Sequence, residues 1–171
     1  MALGLLILRL AVGLSIAAHG AQKLFGMFGG RGIAGSAGFF ETLGFRPGKT
    51  YATVAGAAEL AGGAALALGL LTPLAAALLM ATMIVAIFTV HLEKGFFAKN
   101  GGYELPLMLA CASAAVAFTG PGPVSLDRAL RLTLQGWWWG LIAVGLGLVG
   151  SLPLILIRSE PQRRRSTSRA A

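Results

Sequence analysis

The sequence predicts an all-α membrane protein, a four-helix transmembrane bundle with a fifth, C-terminal transmembrane helix, and three observations carry that prediction. Of 171 residues, 56% are hydrophobic and 12% charged, with a mean hydropathy of +0.78. That is more apolar surface than a soluble domain of this size can bury. Long apolar stretches alternate with short connections rich in Gly, Pro and charge, the pattern of successive membrane crossings. Charge is also one-signed, 14 Lys+Arg against 6 Asp+Glu, and it lies mostly in the connections, as membrane topology requires.

The first span runs from Leu3 to about Leu24, apolar except for Arg9, Ser15, His19, Gln22 and Lys23. It is long enough to cross roughly 30 Å of hydrocarbon. A cleaved signal peptide is the weaker reading, because no basic segment precedes the run and Arg9 interrupts it. A glycine-rich connection, Phe25 to Thr50, contains Phe39-Phe40-Glu41-Thr42-Leu43, expected as a short helix at the membrane interface. The second span is Ala52 to Leu71. Thr72-Pro73 marks a very tight turn, so the third span, Leu74 to about Leu92, returns antiparallel beside the second. After a loop from Glu93 to Gly102, the fourth span covers Tyr103 to Thr119 and is stopped by Gly120-Pro121-Gly122-Pro123. Ser125 is a suitable N-cap for the amphipathic Leu126-Asp127-Arg128-Ala129-Leu130. Trp137-Trp138-Trp139, an interfacial belt, opens the fifth span, which ends at Arg158. The domains expected are therefore the bundle (1–131), the additional transmembrane helix (132–158) and a basic, disordered cytoplasmic tail (159–171).

Five spans place the termini on opposite sides. One face carries Lys23, Arg31, Arg46, Lys49, Lys94, Lys99 and the arginines from Arg158 onward, whereas the other carries Arg128 and Arg131, with Arg9 near it. The positive-inside rule makes the first face cytoplasmic and the N-terminus external, in a bacterial inner membrane. Nucleic-acid binding is disfavoured despite a pI near 10.9, because no basic patch interleaved with aromatics accompanies the charge. The single cysteine, Cys111, lies inside an apolar run, which excludes an intrachain disulfide or a Cys-x-x-Cys relay.

The topology brings four ionisable residues to one level near the cytoplasmic face: His19, Glu59, His91 and Glu104. Glu59 is the most informative, since a carboxylate inside a span costs about 2.5–3.5 kcal/mol near the helix centre by insertion scales. Its helix face is small: Ala55, Gly56, Gly62 and Gly63 sit three or four residues away, which lets a neighbouring helix or a flat ligand approach the backbone. The alternative for Glu59 is a structural carboxylate paired with a neighbouring His or Lys. Histidines at span ends are often only interfacial, and Glu104 also suits the first turn of a helix dipole. The order His19, Lys23, Glu59 is echoed by His91, Lys94, Glu104, as two hairpins related by a pseudo-twofold axis would give. Two imidazoles and two carboxylates could bind a divalent transition metal or relay protons to a bound redox molecule, but without His-x-x-x-His or Glu-x-x-His spacing on one helix the metal signal is weak. Arg9 has Asp127 as an available counter-ion, a structural pairing.

At these residues the chain resembles the DoxX family of small bacterial membrane proteins. The matching stretches include Leu6-Ile7-Leu8-Arg9-Leu10, His19-Gly20-Ala21-Gln22-Lys23-Leu24-Phe25-Gly26, Ala58-Glu59-Leu60-Ala61-Gly62-Gly63, Leu70-Leu71-Thr72-Pro73, His91-Leu92-Glu93-Lys94-Gly95, Gly102-Tyr103-Glu104 and Ser125-Leu126-Asp127-Arg128. The resemblance implies a four-helix membrane bundle and an oxidoreductase role, by similarity to subunits linked to thiosulfate–quinone oxidation and to membrane oxidoreductase complexes. The fifth span and arginine tail depart from it.

The function expected is that of a quinone-linked membrane oxidoreductase subunit. His19, Glu59, His91 and Glu104 would handle protons, while Lys23, Gln22, Gly62, Gly63 and Tyr103 would hold the quinone headgroup. Quinone reduction takes up two protons, so titratable groups at the membrane rim suit it. No flavin, nicotinamide or haem fingerprint is present, so electrons would come from a partner or a diffusible reductant. The expected company is the lipid bilayer, a soluble redox partner at the cytoplasmic face and further copies of the chain. Two rival readings are a non-enzymatic scaffold for a soluble redox enzyme and a small-solute or proton carrier.

Overall fold

The computed structural model describes residues 2–159, and these form seven α-helices with no strand among them. Helix α1 spans Ala2–Phe25 and α2 spans Gly32–Thr42; α3 is Gly48–Leu68, α4 Thr72–Ala86, α5 Glu104–Thr119, α6 Leu126–Ala129 and α7 Trp137–Leu156. Four helical stretches have the length and apolarity to cross a membrane: Ala2–Phe25, Gly48–Leu68, Thr72–Lys94 and Trp137–Leu156. The expected fourth span is shorter. At 16 residues, α5 rises about 24 Å, less than the roughly 30 Å of a hydrocarbon core, because Tyr103 stays outside the helix and Gly120, at φ 80°, ends it.

Each boundary has a local cause. Gly69 (φ 66°) ends α3 in a left-handed conformation, its N–H bonding Leu66 O (3.1 Å) while Leu70 N bonds Ala65 O (2.8 Å), the Schellman pattern. Only Gly69, Leu70 and Leu71 then separate α3 from α4, and Pro73 in the first turn of α4 needs no donor. The connection between α1 and α3 holds a longer interface helix than expected, with α2 starting at Gly32 and covering Phe39 and Phe40. The third span keeps its helical course past Ala86 by widening into a π turn, Ile87–His91. Ser125 caps α6, its Oγ accepting from Arg128 N (3.2 Å), as expected. The basic tail expected at 159–171 lies, beyond residue 159, outside the described residues.

The tightest seam is between α1 and α3. A methyl placed on Gly13 would lie 2.5 Å from Gly63 O, and one on Gly20 would lie 2.5 Å from Leu60 N, so the backbones touch along an antiparallel pair of small-residue stripes. Against this pair pack α4 and α5, and α7 covers both, with Gly147 on Met80 and Gly140 on Phe118. The fully buried core between them includes Ile16, Leu66, Leu79, Val116 and Ala143.

At the end of the bundle where α1 begins, Arg9 and Asp127 are buried (1% and 0% exposed). They do not form the direct pair the sequence suggested. Arg9 donates to the carbonyls of Pro121, Ala67 and Val124. Asp127 instead accepts Leu71 N (2.6 Å), Thr72 N (2.9 Å) and Thr72 Oγ1 (2.7 Å), satisfying the orphan donors at the start of α4 from a distant part of the chain. This knot ties α1, the α3–α4 turn and the segment after α5 into one level.

Candidate functional site: an apolar cavity lined by an ion pair

The candidate site lies alongside α4 and the π turn after it, from Leu74 to His91. Between α2, α3, α4 and α7 lies a cavity of about 490 Å³. Its long walls are apolar: Val54, Ala55 and Ala58 from α3, Leu74 to Ala86 from α4, and Leu146, Gly150 and Leu154 from α7. Aromatic side chains close the side nearest the α2–α3 connection, where Phe40, Phe45 and Tyr51 stack in sequence with ring centroids 5.7 and 5.2 Å apart. The strap after α7 meets that connection directly, Ser159 N donating to Gly44 O (3.0 Å).

The ionisable groups in its lining are Lys23, Tyr51, Glu59 and His91. Lys23, in the last turn of α1, pairs with Glu59 of α3, their side chains 27% and 7% exposed. A lysine there complements the α1 dipole, and its long stem lets the ammonium reach the carboxylate. His91 closes the π turn, and its Nδ1 lies 2.6 Å from Gly101 O. A carbonyl only accepts, so Nδ1 carries the proton and Nε2 is left as the acceptor of the neutral ring. Thr89 Oγ1, also in the lining, is turned back to Val85 O (2.8 Å).

The other residues singled out in the sequence lie elsewhere. His19 is exposed and donates from Nδ1 to Gln22 Oε1 (3.1 Å), and Gln22 Nε2 donates to Phe28 O (3.1 Å). That chain fastens the end of α1 to the following 3-10 turn. Glu104 accepts the N–H of Ala98 (2.8 Å), pinning the loop before α5, and Tyr103 stacks edge-on against Phe96 at 5.5 Å. Gly63 faces Gly13 and Ala17 of α1, and Gly62 faces Leu78 and Leu79 of α4; these two glycines are thus covered by helices, whereas Ala55 of the same face lines the cavity. The echo between His19-Lys23-Glu59 and His91-Lys94-Glu104 is not repeated in the pairing, since Lys23 meets Glu59 whereas Glu104 meets a backbone N–H. Among the described residues no group of three or more His, Cys, Asp and Glu side chains converges to hold a metal.

Sequence reasoning did not find the aromatic wall, the π turn or the contribution of α7. Phe39-Phe40 and Phe45 were visible as aromatics, but only the packing of α2 on α3 turns them into a wall.

Fold and apolar helix length together define a multi-pass, all-helical membrane protein. Residues 4–92, more than half of the chain, match the DoxX family, and the chain belongs to it. The matched region contains α1 to α4 and hence Lys23, Glu59 and His91. No curated protein and no solved structure matches the chain.

Proposed function

We propose that this chain is a quinone-linked oxidoreductase subunit of the bacterial inner membrane, with its lysine-rich end in the cytoplasm. The observation that supports the proposal is the lining of the cavity: largely apolar walls interrupted by the Lys23–Glu59 pair and by His91. A ligand that fits must be mostly apolar with one compact polar head, the description of an isoprenoid quinone. When bound, a quinone supplies two-electron, two-proton acceptor chemistry.

The protein's own groups match the needs of such a head. The Lys23 ammonium is a donor to a carbonyl oxygen, and Glu59 holds that ammonium at the cavity wall. His91 presents Nε2 as a proton acceptor because Gly101 O fixes Nδ1. Tyr51 adds a phenol to the same lining. The surrounding Leu, Ala and Phe side chains exclude water, which strengthens each of these interactions. His19, Gln22, Glu104 and Tyr103 act one step away by fixing the α1 end and the α4–α5 loop. Electrons arrive from a soluble redox partner or a diffusible reductant at the lysine-rich face.

Photoaffinity labelling with an azido-quinone in membranes tests the proposal. Label should map to peptides containing Phe40, Tyr51 or Leu78, and unlabelled quinone should compete it away. Label confined to the lipid-facing side of α1 would refute the site.

A further inference from the structure

Beyond the quinone reading, and independent of it, a second hollow shares part of the cavity's lining. It measures about 370 Å³ and is walled by Gln22, Lys23, Arg31, Ser36, Phe39 and Phe40, with Gly30 and Gly35 as its floor. No carboxylate lines it. Arg31 has no acidic partner among the described residues, where the one ion pair is Lys23 with Glu59. We propose that this hollow binds the phosphate headgroup of an anionic phospholipid.

Three observations support a built site. The Arg31 side chain lies back along α2 over Gly35: a methyl there would collide with Arg31 Cβ and sit 3.3 Å from its Cδ. The missing side chain at Gly35 thus leaves room for the Arg31 stem, and Arg31 lines the hollow, its guanidinium a fork suited to phosphate oxygens. Ser36 Oγ donates to Lys23 O (3.2 Å), holding α2 against the end of α1. Finally, Lys23, Phe39 and Phe40 line both this hollow and the apolar cavity. A ligand with its charge at Arg31 therefore has apolar wall immediately beside it, and Phe39, 43% exposed, offers a lipid-facing surface for acyl chains. Free phosphate would use Arg31 but not that adjacent wall. Basic residues at a membrane surface attract anionic headgroups.

The test uses the full chain in nanodiscs of phosphatidylcholine containing phosphatidylglycerol, with native mass spectrometry counting retained lipid. Wild-type protein should retain phosphatidylglycerol over phosphatidylcholine. Arg31→Gln should lower that retention about tenfold, as loss of one charge-assisted contact worth about 1.4 kcal/mol does, and Arg31→Lys should recover part of it. Arg31 is exposed, so folding is expected to survive, and a Gly35→Leu variant, which displaces the Arg31 stem, gives a second route to the same loss. Inorganic phosphate should neither bind measurably nor displace the lipid. Equal retention of both lipids, retention unchanged in both variants, or phosphate binding that abolishes lipid retention would each overturn the proposal. Quinone content measured in the same samples stands apart: its loss with lipid selectivity intact would count against the quinone reading alone.

Discussion

Lys23 and Glu59, on different helices and 36 positions apart, form an ion pair in the lining of the apolar cavity. Helix α1 is pressed onto α3 by touching glycines at Gly13–Gly63 and Gly20–Gly56, and this contact brings the last turn of α1 level with Glu59. A charged group inside a membrane protein is retained with a partner or for a purpose; here the pair has a partner and also lines a cavity.

Because Lys23 is partly exposed and Glu59 nearly buried, the pair lies between surface and core cases. Glu59→Gln should cost about 1–3 kcal/mol, between exposed pairs and fully buried ones. A cycle of Glu59→Gln, Lys23→Met and the double variant, followed by denaturation in detergent, should show the double variant more stable than the sum of the singles implies. Strict additivity would mean that the two side chains do not interact.

The Asp127 knot predicts a different response. Asp127 is fully buried and accepts three hydrogen bonds from Leu71 and Thr72. Asp127→Asn turns one acceptor into a donor facing N–H groups, at a cost of about 2–4 kcal/mol. The melting temperature should fall, while ligand content per folded molecule stays at the wild-type value because neither Asp127 nor its partners Leu71 and Thr72 line the cavity.

Two adjacent glycines separate packing with backbone from packing with side chains. A methyl at Gly63 would collide with Gly13 O and sit 2.6 Å from Ala17 N, neither of which can yield, whereas one at Gly62 would meet the end of Leu79 at 3.0 Å. Gly63→Ala should destabilise by about 1–3 kcal/mol through overpacking. Gly62→Ala should be close to neutral, since Leu79 can shift and alanine gains about 1 kcal/mol of helix propensity. Melts of both variants check the ranking, and equal losses would contradict the α1–α3 seam.

The helices were legible in the sequence because each rests on a local cause: apolar length for α1, α3 and α7, Gly69 and Pro73 for the tight turn, Ser125 for the cap of α6. Glu59 stood out for an equally local reason, a carboxylate in an apolar run. What could not be read was which neighbour each polar group faces. His19 and Lys23 are four residues apart on α1, yet one is exposed and bonded to Gln22 while the other reaches Glu59, a difference that arises only once α3 packs on α1. The Arg9–Asp127 pairing was expected from charge, but backbone carbonyls freed near Pro121 and Val124 take the guanidinium, and the bare start of α4 takes the carboxylate. The role of α7 as a cavity wall depends on its crossing over α4, which no local pattern encodes.

Topology gives a prediction independent of any ligand. Reporter fusions after Arg46 and Lys99 should read cytoplasmic, and one after Arg128 should read external, following the distribution of Lys and Arg. A fusion at Lys99 that reads external would show that Thr72–Lys94 does not cross as a single span.

The quinone content of purified full-length protein tests the central claim most directly. Wild type, Glu59→Gln and Leu78→Trp would be extracted in mild detergent and their bound quinone counted by mass spectrometry against folded protein. Leu78 lines the cavity and is 40% exposed, so a tryptophan there fills the channel without disturbing the core. Wild type should carry quinone, Leu78→Trp should lose it by steric exclusion, and Glu59→Gln should lose most of it while remaining folded. Quinone present at the same stoichiometry in all three folded proteins, or absent from the wild type even after quinone is supplied to the membranes, would contradict the account.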